Sequence, residues 1–259
     1  MKILITNDDG VFSSGILATR NALKPLGETI VVAPNAQQSG IGRAISLSKP
    51  IRIDEVKLRD ESMAYSVHGT PTDAVTLAMF EIMDETPDLV VSGINLGENI
   101  GGGEITTSGT VSAAMEAASF NIPAIAISME VAKSSIKFHD GYFDLDYFLA
   151  EKILYKIAKK VIKNGLPDGV DLLNINIPSG VENEEIEITK LGGRVFNPII
   201  ERRLDPRGKP YFWVDGIAKT DHEESTDGYT LKNNKKISIT PLKLNLTGNL
   251  NSLKQWMDE

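Results

Sequence analysis

KILITNDDG, residues 2–10, packs three large aliphatic side chains into five residues and then breaks into asparagine, two aspartates and glycine. Adjacent Ile and Leu without polar alternation suit a strand covered on both faces, as in a parallel sheet. The abrupt polar break at Asn7 marks that strand's carboxyl end. Four further runs repeat the pattern: TIVVA (29–33), DLVVS (88–92), AIAIS (124–128) and DLLNINIP (171–178).

Helical patterns fall between these runs. SSGILATRNALKPLG (13–27) offers Ser13 or Ser14 as N-cap, a stripe of Ile16, Leu17, Leu23 and Leu26, and Gly27 as a stop. TDAVTLAMFEIM and SGTVSAAMEAASF read the same way. The clearest helix is predicted over Phe143 to Asn164, where Leu149, Ile153, Ile157 and Val161 recur at every fourth position. Its lysines read as a solvated face, not a phosphate patch. Strand and helix in alternation predict an α/β fold with a doubly wound, mainly parallel sheet in three layers. Ligands of such sheets bind beyond the carboxyl ends of the strands.

After Lys190 the pattern changes. GGRVFNPIIERRLDPRGKPYFWVDG and YTLKNNKKISITPLKLNLT carry short β-like runs broken by Gly, Pro and Asn-Asn, which predict hairpins, and Leu250 to Glu259 suits a short terminal helix. The expected organisation is a catalytic core over residues 1–185, with 186–259 as an appendage of hairpins and helix that is not an independent domain.

Composition narrows the chemistry. Lys and Arg total 27 against 35 Asp and Glu, a formal net charge of −8 with no basic block, which argues against nucleic acid as a partner. The absence of cysteine excludes disulfides, thiolate metal sites and thiol nucleophiles. No apolar run approaches the ~18 residues needed to cross a bilayer, so the expectation is a cytoplasmic protein without a membrane partner.

Against that background Asp8 and Asp9 stand out. One Asp after a strand is an ordinary turn or capping residue. Two adjacent carboxylates repel unless a cation neutralises them, and a hard divalent ion bound through oxygen does so. The loop after the second run, PNAQQSGIGRAISLSKP (34–50), adds the Ser39 hydroxyl, the flexible Gly40, and Arg43, a side chain able to grip phosphate. The third loop is richer: Asn95 follows a predicted strand, six glycines fall from Gly93 to Gly109 inclusive, and Ser108-Gly109-Thr110 open an Ala-rich helix. Glycines admit an anion to the backbone, and a helix N-terminus offers unpaired N–H groups. The lysine of a P-loop is missing. HGTPTDAV (68–75) reads mainly as a helix start with Pro71 in its first turn, and the three histidines, His68, His139 and His222, have no zinc-ligand spacing.

ILITNDDG, PNAQQSG, HGTPTDAV, SGINLGENIG, SGTVSAAMEAA and ISITPLKLNLT, in this order over nearly the whole chain, resemble the SurE (survival protein E) family of metal-dependent 5′/3′-nucleotidases. The resemblance implies a Rossmann-like core and a homodimer or homotetramer built through C-terminal elements. It further implies a divalent-cation (Mg2+ or Mn2+) phosphomonoesterase acting on nucleoside 5′-monophosphates, with 3′-monophosphates and short polyphosphate as further candidates. By the same resemblance Asp8, Asp9, Ser39 and Asn95 are metal ligands. Asn7, Gly40, Ser108, Gly109 and Thr110 fall near the phosphate, with Arg43 as a further substrate contact from its own chemistry. Asp8 and Asp9 are the catalytic candidates; the sequence leaves open whether either moves a proton. Ala74 stands where relatives often carry cysteine.

Two rivals are weighed. A haloacid-dehalogenase-type phosphatase needs an Asp-x-Asp pair after the first strand, and here the carboxylates are adjacent. A metal-dependent nucleotide sensor would share the site without turnover. The aromatic YFWVDG (211–216) reads as part of an oligomer-forming hairpin, with base stacking as its alternative.

Overall fold

The computed structural model describes residues 1–131 and 142–258; His139 and the terminal Glu259 lie outside the described residues. Strand β1 (Lys2–Thr6) runs through the middle of a nine-stranded sheet. The others are β2 (Glu28–Pro34), β3 (Ile53–Lys57), β4 (Met63–Val67), β5 (Leu89–Leu96), β6 (Ala124–Met129), β7 (Leu172–Ile177), β8 (Ile186–Ile188) and β11 (Ile237–Leu242), in the order β3-β4-β2-β1-β5-β6-β7-β11-β8. The stretch from β4 to β7 is parallel throughout, while β3 and β11 pair antiparallel with their neighbours β4 and β7.

Alternate residues of each strand feed two cores. Ile3, Ile5, Val91, Ile125, Ile127 and Ile175 face helices α1 (Ser14–Leu23) and α4 (Phe148–Asn164), which contribute Ile16, Leu23, Ile153 and Leu154. Leu4, Val90, Ala124 and Ala126 face the other way, toward α2 (Pro71–Leu77) and α3 (Gly109–Ser119). Small residues meet small residues there: Ala113, Ala114 and Ala117 of α3 are wholly buried on the sheet. Truncating a side chain such as Ile5 in so dense a core would cost about 2–5 kcal/mol.

Continuous burial explains why the central strands read correctly from sequence. The departures are local. β3 and β4 form a hairpin not foreseen between the second and third runs. α1 stops at Leu23, ahead of Gly27. The helix read from TDAVTLAMFEIM divides into α2 and a π-helical turn, Ala78–Ile82. α4 starts at Phe148, not Phe143. One predicted hairpin forms: β9 (Phe196–Leu204) and β10 (Pro210–Ala218) pair antiparallel over their full lengths as a separate, exposed ribbon. The second does not. YTLKNNKKISITPL instead closes a short helix α5 (Asp227–Lys232) and then supplies β11, which adds to the main sheet beside β7. A strand partner distant in sequence outcompeted the local turn signal. The terminal helix α6 (Leu250–Asp258) buries none of its side chains.

Chain order reverses at β1: β2 and β4 lie on one side, and β5 returns on the other. The carboxyl ends of β1 and β5 are therefore neighbours at a topological switch point, with Thr6 opposite Ser92.

Candidate functional site

Asp8 and Asp9 follow β1 directly at this switch point. Both are buried, 5% and 8% exposed. Their loop is closed from beneath by Asn7, which is fully buried: its amide nitrogen donates to Gly10 O (3.1 Å) and Ser13 Oγ (2.7 Å), and its Oδ1 accepts the Gly10 N–H (3.2 Å). With both side-chain amide hydrogens bonded within the loop, Asn7 holds the site's shape.

Helix α3 arrives end-on. Ser108 is its N-cap, accepting the Val111 N–H at 3.1 Å. Thr110 Oγ1 donates to Asp8 Oδ1, and the Gly109 and Thr110 backbone N–H groups also favour the charged carboxylate. Burial outweighs these donors and pushes the Asp8 carboxyl above its ordinary value. Position 109 must be glycine, because a Cβ there would stand 2.6 Å from Asp8 Cβ and 2.8 Å from its Oδ2. Gly15 plays the same part for α1, where a Cβ would lie 1.9 Å from Ile94 O.

Two loops complete the arrangement. Gln38 N–H binds Asp8 O (2.8 Å) and Gly42 N–H binds Thr107 O (2.9 Å), which draws the loop after β2 against both β1 and the entry to α3. Asp9 Oδ2 accepts the Leu96 N–H (3.1 Å), tying the second aspartate to the end of β5. Asn95 spends its amide nitrogen on Gly97 O (2.6 Å), which leaves its oxygen for a ligand.

The result is a cavity of about 210 Å³ lined by Asp8, Ser39, Gly40, Asn95 and Ser108, together with Glu98, Asn99, Glu104 and Phe196 among others. Of the residues singled out in the sequence, those first five share it. Asp9, Gly109 and Thr110 stand against Asp8 or the β5 end. Arg43 goes elsewhere: its Nε pairs with Glu116 Oε2 of α3 at 2.7 Å, so its guanidinium braces the loop on the helix. His68 lies with Asp54 on the β3–β4 hairpin (2.6 Å), and Thr70 and Asp73 cap α2 reciprocally, so HGTPTDAV is a structural element.

Sequence reading missed the support under the glycine-rich loop. Asn174 and Asn176 of β7 are fully buried; their amide nitrogens bind Asn99 O (2.8 and 3.0 Å), and Asn176 Oδ1 accepts the Asn99 N–H (2.8 Å). Asn99 Nδ2 in turn donates to Ser128 Oγ (2.8 Å). Two asparagines at i and i+2 inside an otherwise apolar strand were the available signal, since buried amides need partners. On the far side Lys232 of α5 bridges Glu98 (2.7 Å) and Glu130 (2.6 Å).

The donor chemistry fits a hard divalent cation. The Asp8 carboxylate, the Ser39 hydroxyl and the Asn95 amide line one cavity, with Asp9 beside Asp8 in the chain and tied to the end of β5, a set of oxygen donors without histidine or thiolate.

Comparison with known proteins identifies the family. The family model described as "Survival protein SurE" matches residues 3–198. A protein of Methanobrevibacter smithii named 5′-nucleotidase SurE is 57% identical over 257 residues, 99% of this chain and 100% of that one. Its namesake from Methanothermobacter thermautotrophicus is 58% identical over 216 residues, 83% of this chain and 82% of the other. The SurE protein from Aquifex aeolicus, known from a crystal structure, superposes with a TM-score of 0.79 at 36% identity, covering 100% of both chains. With a shared fold, a full-length match and the paired aspartates at the switch point, this chain belongs to the SurE family.

Proposed function

We propose that this chain is a divalent-cation-dependent 5′-nucleotidase, hydrolysing nucleoside monophosphates to nucleoside and phosphate. The observation that carries the reading is the convergence of Asp8, Ser39, Asn95 and the α3 N-cap Ser108 on one cavity, with Asp9 tied beside them. The family relationship and the relatives' names support it.

Asp8, Asp9, Ser39 Oγ and Asn95 Oδ1 would hold the cation, Mg2+ or Mn2+. When bound it supplies Lewis-acid polarisation of the phosphate and a water of lowered pKa. The protein's own part is positioning and electrostatics. Thr110 and the α3 backbone keep Asp8 in one orientation and favour its charged form. The positive end of the α3 dipole, reaching the cavity through Ser108, favours the phosphate's negative charge as it grows in the transition state. Gly40 lets the backbone approach the phosphate without a side chain between. Monophosphates carried on the 3′ oxygen and short polyphosphate present the same terminal group and are secondary candidate substrates.

Assembly as a homodimer or homotetramer belongs to the same reading. The β9–β10 ribbon exposes Phe212, Trp213, Val214 and Ile217, and α6 exposes Leu253, Trp256 and Met257, large apolar side chains of the kind that subunit interfaces cover. No helix among the described residues is long and apolar enough to cross a membrane; the proposed location is the cytoplasm. Residues 1–185 would then form the catalytic core, and the exposed parts of 186–259 the assembly elements.

The test is phosphate release from AMP with Mn2+ or Mg2+ and with EDTA. Asp8→Asn and Asp9→Asn should each abolish the metal-dependent rate while the circular dichroism spectrum is kept. Full activity in both variants, or a trapped phospho-aspartate under turnover, would overturn the assignment.

A further inference from the structure

Among the described residues, Phe196 is the one aromatic side chain lining the cavity that holds Asp8, Ser39 and Asn95. It is the first residue of β9, at the root of the exposed ribbon, and it is half-buried. Its placement is fixed at both ends. The N–H groups of Val195 and Phe196 both donate to Glu104 Oε1, at 3.1 and 3.2 Å, and Glu104 itself lines the cavity. The side chain packs on a small apolar cluster of Ile100, Val195 and Leu231, separate from the two main cores.

A cavity of about 210 Å³ is smaller than the ~300–1,000 Å³ that encloses a drug-sized ligand. The metal-binding side chains and Ser108 account for a phosphate; the remainder of a nucleotide has to leave along the rest of the lining. Among the described residues that lining is glycine, polar or carboxylate except for Leu96 and Phe196. A planar base gains most on a fixed ring face, and stacking of this kind tolerates any base. The aromatics at Tyr211–Trp213 are not part of the cavity, so base stacking by the ribbon's second strand is not what this geometry offers.

We infer that Phe196 is the platform for the nucleobase, and that Glu104 positions it by holding its backbone. The assignment rests on the nucleotidase reading and deepens it: the enzyme would distinguish a nucleotide from a bare sugar phosphate through this ring, while discriminating little among the bases.

The experiment compares kcat/KM for AMP with that for ribose 5-phosphate, which has the sugar and phosphate without the base. Phe196→Leu keeps an apolar side chain against Ile100 but has no ring face. It should lower the AMP to ribose 5-phosphate ratio about tenfold, mostly through the KM for AMP, as expected for loss of one stacked base. Phe196→Tyr should retain the ratio, and Glu104→Ala should lower it in the same direction. A ratio unaltered in Phe196→Leu overturns the inference, as does an equal loss on both substrates. A wild-type chain that releases phosphate from neither compound overturns the nucleotidase reading instead. Calorimetric binding of AMP against ribose 5-phosphate then tests Phe196 separately: loss of the AMP preference in Phe196→Leu supports the platform, and an intact preference refutes it.

Discussion

Replacing Gly109 by alanine adds one methyl group and should disable the site. The new Cβ would stand 2.6 Å from Asp8 Cβ, where ordinary contact begins at 3.4 Å, so the two must separate by at least 3.4 − 2.6 = 0.8 Å. Asp8 cannot swing its β-carbon away, because that atom moves only with the backbone, and the Asp8 carbonyl is held by Gln38 N–H. Either the start of α3 or the end of β1 has to shift. Overpacking of this kind costs about 1–3 kcal/mol, offset by less than about 1 kcal/mol from alanine's better helix propensity. At about 2–4 °C per kcal/mol for a chain approaching this size, Tm should fall by a few degrees. The catalytic loss should be larger, since a displacement near 1 Å in a positioned group costs on the order of 10²-fold. Both follow from one thermal melt and one metal titration of phosphate release from AMP. A Gly109→Ala enzyme with the wild-type kcat/KM and metal affinity would refute the claim that close packing of α3 on Asp8 sets the site.

Asn176→Leu removes the acceptor of the Asn99 N–H and one donor to its carbonyl; it should cost about 1 kcal/mol or more and raise the metal concentration needed for half-maximal rate, both read on the purified variant. Lys232 gives a pH signature. Burial pushes the Glu130 carboxyl up, but the Lys232 ammonium, the Ser179 N–H and Lys235 outweigh it and hold it at about 2. A depressed carboxylate stabilises the fold above its unfolded pKa and loses that contribution as pH falls toward about 2. Lys232→Met should therefore lower Tm at pH 6 and flatten its fall between pH 5 and about 2, as seen by calorimetry across that range. Trp213→Ala should weaken assembly in analytical ultracentrifugation and leave the order of base preference as it was; a changed preference with intact assembly would move the ribbon into the substrate site.

Much of this was legible in the chain because it is local. Ile3-Leu4-Ile5 demands cover on both faces whatever its neighbours, and the same logic places β2, β5, β6 and β7. Ser108 as N-cap follows from its hydroxyl and the Ala-rich run after it. Asp8 beside Asp9 raises the expectation of a cation, since adjacency in the chain holds the two carboxylates close. What the sequence leaves open concerns choices among partners. Arg43 has the chemistry to hold phosphate, and its Nε is paired with Glu116 on α3. Asn7 sits in the most telling motif, and its side-chain amide bonds Gly10 and Ser13. YTLKNNKKISITPL carries a turn signal, and β7 offered its strand a longer pairing than a hairpin would.

The sequence by itself determined the layered α/β architecture and the oxygen-rich acidic pair at the end of the first strand, because hydrophobic period and adjacent charges act over a few residues. Only the tertiary structure decided which distant groups meet that pair. Sheet order put Asn95 beside Asp8; α3, packed through alanines, put Thr110 on its carboxylate. The root of the ribbon brought Phe196 to the same cavity. Such contacts depend on how two cores close around one sheet, and no window of sequence contains that closure.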